Sequence, residues 1–425
     1  MGIAFAVQEY WDLADARDAL EVALCTTVDA IAEFEKAFAS FVRGLDAAFL
    51  ISGREAIYRA LKLIGVGAGD QVVMSAFNCS RVADAILRCK ATPVLVDVRL
   101  PGGEIDPDLV LQALSPQVKA TLIPHVYGVP ADLREIKPEL DRRDVALIED
   151  CAHCVGGTIG EKVVGSLGSF SIFSFNTGKP ITLGNGGMLI CSDPKWLDEF
   201  RRQKAQCRRQ HSTNAQEEFE AIKKTLDAMV SLRSQASQGR LPLNPPPLKR
   251  RFLRSPLGLA GLWLYNRFRP AAPLTHPFND EFGSVGAVRA RLGLSLLRRW
   301  PDIMAVRNQK AEYVRRRLCE VTWAETCTLA PDTQPAYFQV NVFAGELTAQ
   351  EVESVIGQLR RTGFWAGRWP FLNHVPHLVG RLKRGSTLSN MRKMAAHSLT
   401  LPVHQNMSQD DLDRMIDVLR SVNPS

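Results

Sequence analysis

Between about residues 46 and 195 the chain alternates short, nearly unbroken apolar runs with amphipathic stretches. The apolar runs predict strands at 47–51, 71–75, 92–98, 120–125, 145–149, 170–175 and 187–191. The amphipathic stretches predict helices at 56–64, 80–89, 107–114 and 138–143. Strands without polar alternation are buried on both faces, as in a mostly parallel sheet covered by helices. The pattern therefore predicts an α/β, three-layer domain with a mainly parallel central sheet. In such sheets ligands bind beyond the carboxyl ends of the strands, so polar residues just after each run are the first candidates for chemistry.

The pattern then changes. Residues 196–209 and 215–237 read as helices, 241–248 is rich in proline, and 249–269 mixes Lys249, Arg250, Arg251, Arg254, Arg267 and Arg269 with Phe252, Trp263, Tyr265 and Phe268. A long helical pattern covers 285–318. A smaller C-terminal α+β unit follows beyond about 325 and ends in an amphipathic helix at 409–422. The expected division is an N-terminal segment at 1–45, a large domain at 46–300 with a basic helical insertion at about 200–275, and a small domain at 301–425.

Composition alters this picture little. With 425 residues, 46% hydrophobic and 23% charged, the chain has material for a large core, and disorder is not the default. The net charge of +7 gathers largely in the 249–269 stretch, so it does not mark the whole protein as a nucleic-acid binder. Nine cysteines without framework spacing suggest free thiols in a reducing cytosol. The N-terminus lacks a basic leader, and the longest apolar run, 256–265, is well short of the ~20 residues of a membrane span. A cytoplasmic location is expected.

Four features fall at strand ends. Ser52-Gly53-Arg54-Glu55 opens a helix, whose free N–H groups and positive dipole end suit a phosphate. Asp150 ends a strand where a carboxylate could pair with a pyridinium nitrogen; alone, it reads more readily as a cap of the following segment. Ser174 precedes Lys179 by five residues, so a hydroxyl could hold a phosphate oxygen while the amine reaches an aldehyde. Gly184-Asn185-Gly186-Gly187 reads as a tight turn back into the sheet. Their order and spacing make the case together.

Those features, with Gly69-Asp70-Gln71, Thr92-Pro93-Val94, His125-Val126-Tyr127-Gly128, Ile148-Glu149-Asp150-Cys151-Ala152-His153, Gly178-Lys179 and Leu399-Thr400-Leu401-Pro402, give a sequence that resembles the DegT/DnrJ/EryC1/StrS family of sugar aminotransferases. The resemblance covers about 46–195 and 285–425. It implies the fold-type I architecture and pyridoxal 5'-phosphate as cofactor. It also implies Lys179 as the Schiff-base lysine and proton shuttle, Asp150 as partner of the pyridine nitrogen, and Ser174 as a phosphate ligand. Arg54 and Glu55 fall where the family offers backbone N–H groups to the phosphate, beside Ser52 and Gly53. His153 falls near the cofactor's phenolic oxygen. Where the family sets an aromatic ring against the cofactor this chain has Cys79, with Phe77 two residues earlier. The family's Asn and Arg that bring a neighbouring subunit to the phosphate are replaced within Asp280-Glu281-Phe282-Gly283-Ser284.

The resemblance further implies small-molecule substrates, an amino-acid donor and a nucleotide-linked keto sugar, and a homodimer. A binding or regulatory protein that keeps the fold without turnover is the alternative. Cys151-Ala152-His153-Cys154 has no second ligand pair for a structural zinc, so no metal is expected. The 249–269 stretch could lie on an anionic membrane surface or grip a lipid-linked substrate; a helical insertion packed on the subunit, with solvated arginines, is the preferred reading.

Overall fold

The computed structural model describes residues 29–176, 178–210, 286–368, 383–385 and 387–422. The readings at 215–237, 241–248, 249–269 and 280–284 lie outside the described residues.

In chain order the elements are α1 (Ala30–Val42), β1 (Asp46–Leu50), α2 (Gly53–Ile64), β2 (Gln71–Ser75), α3 (Ser80–Arg88), β3 (Thr92–Val96), α4 (Pro107–Ala113), β4 (Val118–Pro124), α5 (Lys137–Arg142), β5 (Ala146–Asp150), β6 (Thr158–Ile159) and β7 (Lys162–Val163). Then come β8 (Phe170–Ser174), β9 (Gly187–Cys191), α6 (Pro194–Gln210), α7 (Ala287–Leu318), β10 (Thr333–Gln334), β11 (Gln339–Phe343), α8 (Ala349–Arg361), β12 (Lys383–Arg384), α9 (Ser389–His397), β13 (Ser398–Pro402) and α10 (Gln409–Arg420).

Eight strands form the central sheet in the order β1-β9-β8-β5-β4-β2-β3-β12. The pairs from β8 to β12 are parallel, while β9 runs antiparallel to both neighbours. Alternate residues of each strand enter different cores. Ala48, Leu50, Val72, Met74, Leu122, Ile148 and Ile172 pack on one face. Ala47, Phe49, Phe173 and Met188 pack on the other, continued by Val73, Ile123 and Leu147. That double burial is why the strands read as continuous apolar runs, and it gives the three layers predicted.

One helix of the N-terminal segment joins the large core, and another helix crosses an expected boundary. Within 1–45, α1 packs Phe34 and Phe38 among Phe49, Phe173 and Phe175, with ring centroids 4.8–5.6 Å apart. Across 300/301, α7 runs on through Pro301. Its first half buries Val288, Leu292, Leu296 and Trp300 in the large core, and its second half buries Ala311, Val314 and Leu318 in the core of the small unit. The small unit is built on the β11–β13 pair under α8 and α10. Among the described residues, no helix is long and apolar enough to cross a membrane.

Candidate active site

The parallel strands end together, and the polar residues that follow them line one cavity of about 360 Å³, a usual volume for a small-molecule site. β5 delivers Asp150, and Ala152 and His153 follow it. β8 delivers Ser174, and Lys179 comes from the loop after it. The segment after β2 contributes Phe77, Asn78 and Cys79, and the start of α2 contributes Ser52, Gly53 and Arg54.

Lys179 and His153 meet at the centre, Nζ to Nε2, at 2.9 Å. Burial lowers the proton affinity of the Lys179 amine, against the opposing pull of Cys79 and Asp150. Burial, then the Lys179 charge, pushes His153 well below the ordinary imidazole range, so its ring is neutral. Asp150 is raised by burial, and the nearby Lys179 cation only partly offsets this. Its Oδ1 accepts from the Ala152 N–H at 3.2 Å. The cavity thus holds a desolvated amine, a neutral imidazole and a carboxylate short of positive charge.

At the other end, Ser52 caps α2 by accepting from the Glu55 N–H at 3.1 Å. Gly53 permits a close approach: a Cβ there would lie 3.1 Å from the Ser174 Cβ and 3.3 Å from the Phe173 carbonyl oxygen, tighter than ordinary contact. The first turn of α2 therefore lies directly against Ser174. Arg54 lines the cavity, where burial and then the Arg81 guanidinium lower its pKa. Glu55 does not line it. Its N–H is taken by Ser52, and its carboxylate bonds Arg59 Nε at 2.6 Å, buried beneath the helix.

Below Asp150, Glu149 is fully buried and accepts from the N–H groups of Gly165, Leu167 and Gly168 at 2.9, 2.8 and 2.6 Å. His125 Nδ1 accepts from the Ala131 N–H at 2.9 Å, so Nε2 carries the proton, and it faces Glu149 at 3.2 Å. Burial alone would raise the Glu149 pKa, but His125 and the Gly165 and Gly168 N–H groups outweigh it and hold it below the ordinary range. Donor atoms of His125, Glu149 and Cys151 also converge, but the first two are committed to these bonds. The network ties the strand end under Asp150 to the 165–168 turn.

Glu149→Gln exchanges a carboxylate that accepts from three N–H groups for an amide with one oxygen. We expect a loss of about 2–4 kcal/mol, read by urea denaturation. A carboxylate depressed on folding stabilises above its unfolded pKa, and that stability disappears as pH falls through the folded value. The gap between wild type and variant should therefore close in acid, below the ordinary carboxylate range.

Of the residues selected from the sequence, Lys179, Asp150, His153, Ser174, Ser52, Gly53, Arg54, Phe77 and Cys79 line the cavity, and Glu55 does not. Asn78, Arg81, Asn176 and Asn185 also line it and carried no signal beyond lying near the selected positions.

A family profile for the DegT/DnrJ/EryC1/StrS aminotransferases matches residues 9–233 and 285–420. The chain belongs to that family. The interval between the two matched parts, 234–284, contains the basic and aromatic stretch. The chain is 24% identical over 417 residues to the spore coat polysaccharide biosynthesis protein SpsC of Bacillus subtilis, covering 97% of this chain and 94% of that protein. To the GDP-perosamine synthase of Caulobacter vibrioides it is 36% identical over 171 residues, 40% of this chain and 46% of that one. Among solved structures, the aminotransferase TlmJ of Streptoalloteichus hindustanus superposes with a TM-score of 0.73 at 22% identity, over 97% of this chain and 96% of that one. Spr1654 of Streptococcus pneumoniae in its PLP form gives 0.74 at 16% identity over 97% of both chains. These likenesses establish the fold-type I architecture.

Pyridoxal 5'-phosphate is the cofactor of this aminotransferase. The cavity has the chemistry to accept it. The amide Nδ2 of Asn78, a residue 5% exposed on the cavity wall, reaches no partner at bonding distance and geometry. Buried donors of this kind are normally satisfied, and a polar ligand in the cavity would satisfy this one.

Proposed function

We propose that this aminotransferase moves an amino group from an amino-acid donor, glutamate in the first instance, to the keto group of a nucleotide-linked sugar used in surface polysaccharide, lipid-linked glycan or secondary-metabolite assembly. The observation that carries the reading is the Lys179 amine, 2.9 Å from a neutral imidazole in a cavity that also holds a buried carboxylate. The polysaccharide and perosamine functions named for the relatives support the acceptor class.

Pyridoxal phosphate, when bound, supplies an aldehyde that condenses with amines and a protonated ring that draws electron density from the reacting carbon. In the proposed arrangement Ser52, Gly53, Arg54 and Ser174 hold the phosphate at the α2 N-terminus. Asp150 would pair with the ring nitrogen and keep it protonated. His153 would hold the ring's oxygen, and Phe77 and Cys79 would contact the ring. Lys179 Nζ, its pKa lowered by burial, takes the proton from the donor carbon and later returns one to the acceptor carbon.

The deciding experiment loads the full-length protein with pyridoxal phosphate, removes the excess and adds glutamate. Equal amounts of pyridoxamine phosphate and 2-oxoglutarate are expected. Retention of the cofactor with no conversion by glutamate, glutamine or aspartate would overturn the transaminase assignment and favour a regulatory role.

The finer partner assignments belong to the same proposal. The chain acts as a homodimer in the cytoplasm, checked by light scattering and fractionation. Co-sedimentation with anionic vesicles separates the two readings of 249–269. Salt-sensitive binding that disappears when Arg250, Arg251 and Arg254 become Ser means membrane contact; no binding means a packed insertion.

A further inference from the structure

Behind the cavity, a short segment from the small unit is held from both sides. On one side α7 grips it. Arg307, 1% exposed, donates from Nε to the Tyr337 carbonyl at 3.1 Å and from Nη2 to the Phe338 carbonyl at 2.8 Å. Asn308 donates to the Pro335 carbonyl at 2.6 Å and accepts from the Tyr337 N–H at 3.1 Å. The Tyr337 hydroxyl reaches Glu312 at 2.7 Å.

On the other side the same segment docks on the turn after β4. Ala336 N–H donates to the Gly128 carbonyl, and Phe338 N–H to the Tyr127 carbonyl, each at 2.9 Å. Tyr127 adopts φ 57°, in the left-handed region a tyrosine rarely occupies. Gly128 leaves no room for a Cβ, which would lie 2.1 Å from the Ala336 carbonyl oxygen. Seven hydrogen bonds therefore fix four residues, 335–338.

The side chain presented by this clasp is Phe338. Its ring lies 4.9 Å from the His153 ring, tilted by 38°, and His153 is the residue whose Nε2 meets Lys179. Phe338 is not itself part of the cavity wall. A fixed ring behind an imidazole limits its rotation and excludes water from that side. Burying a guanidinium is costly, and here both carbonyls it bonds belong to the segment that presents the ring.

We propose that Phe338, presented by Arg307, is a positioning residue that holds His153 against Lys179. The inference rests on Lys179 as the reacting amine, and the small unit thereby takes part in the chemistry without touching the cavity. The charged and titratable groups near Lys179 are His153, Asp150 and Cys79, with Arg54, Arg81 and His125 elsewhere on the wall. Of these, His153 alone has a described ring contact with Phe338.

The test compares wild type, Phe338→Leu, Phe338→Tyr, His153→Asn and the His153→Asn/Phe338→Leu double variant. In the full-length, cofactor-free chain, acetic anhydride labelling of Lys179 is followed by mass spectrometry across pH. In the holoenzyme, the glutamate half-reaction is followed over the same range. Loosening the wall admits water and removes part of the desolvation that lowers the amine's pKa. Phe338→Leu should therefore move the labelling midpoint upward by on the order of one pH unit. The rate profile should move with it, while Phe338→Tyr stays with wild type. In the His153→Asn background Phe338→Leu should add no further shift.

A Phe338→Leu curve that overlays wild type overturns the proposal. So does a shift that persists undiminished without His153, because the effect would then not pass through the imidazole. If Phe338→Leu fails to fold, Phe338→Met takes its place under the same criteria. Labelling needs no turnover, so a chain inactive in every form would refute the transaminase reading and still decide the positioning role.

Discussion

Lys179→Ala should lower the glutamate half-reaction by about three to four orders of magnitude, because in the proposed mechanism it removes both the amine that holds the cofactor and the base that moves the proton. Single-turnover measurement with excess pyridoxal phosphate reads the rate. Borohydride reduction followed by peptide mapping should place a phosphopyridoxyl group on Lys179 in wild type and on no residue in the variant. The fold should persist, since the amine is buried at a net desolvation cost and its pKa is lowered. A variant with unchanged thermal melting that keeps a tenth of wild-type turnover would assign the chemistry to another group. Removing the amine also takes from Asp150 the cation that partly offsets its burial, so the Asp150 carboxyl should become still harder to ionise.

Asp150→Asn carries the second largest expected effect. A buried carboxylate facing a positively charged ring nitrogen is a charge pair with little solvent screening, and removing one member of such a pair costs about 3–5 kcal/mol. At about 1.4 kcal/mol per tenfold, that is roughly a 10²- to 4 × 10³-fold fall in kcat. Cofactor affinity should fall less, because the end of the cavity proposed to hold the phosphate, lined by Ser52, Gly53, Arg54 and Ser174, is untouched. The check measures kcat and the cofactor dissociation constant on the same preparation. A large loss of affinity with kcat preserved would place Asp150 in binding alone.

The site was legible in the sequence because its parts sit at strand ends, and strand ends can be read locally. Ser52-Gly53 stands at a cap, Asp150 closes an apolar run, and Ser174 closes another, so their alignment at one edge follows from parallel strands. Helix α2 starts at Gly53, where a later start at 56 was expected, because the Ser52 hydroxyl satisfies a first-turn N–H. Glu55 illustrates the limit. Next to Arg54 in sequence, it faces Arg59 across one helical turn and leaves the cavity. A spacing of i,i+4 allows that pairing, but the sequence does not say which face meets the ligand.

What the sequence determined by itself is what short-range physics can encode: apolar runs long enough for doubly buried strands, caps that start helices, and a carboxylate and a hydroxyl closing two strands with an amine just past the second. The tertiary structure decided everything that depends on contacts between distant segments. It packed α1 into the aromatic core, passed α7 through both units, added β12 to the far edge of the sheet, and set Phe338 from the small unit against His153. Such pairings bring together residues more than a hundred positions apart, and their energies arise from surface shapes that exist only once both segments are folded.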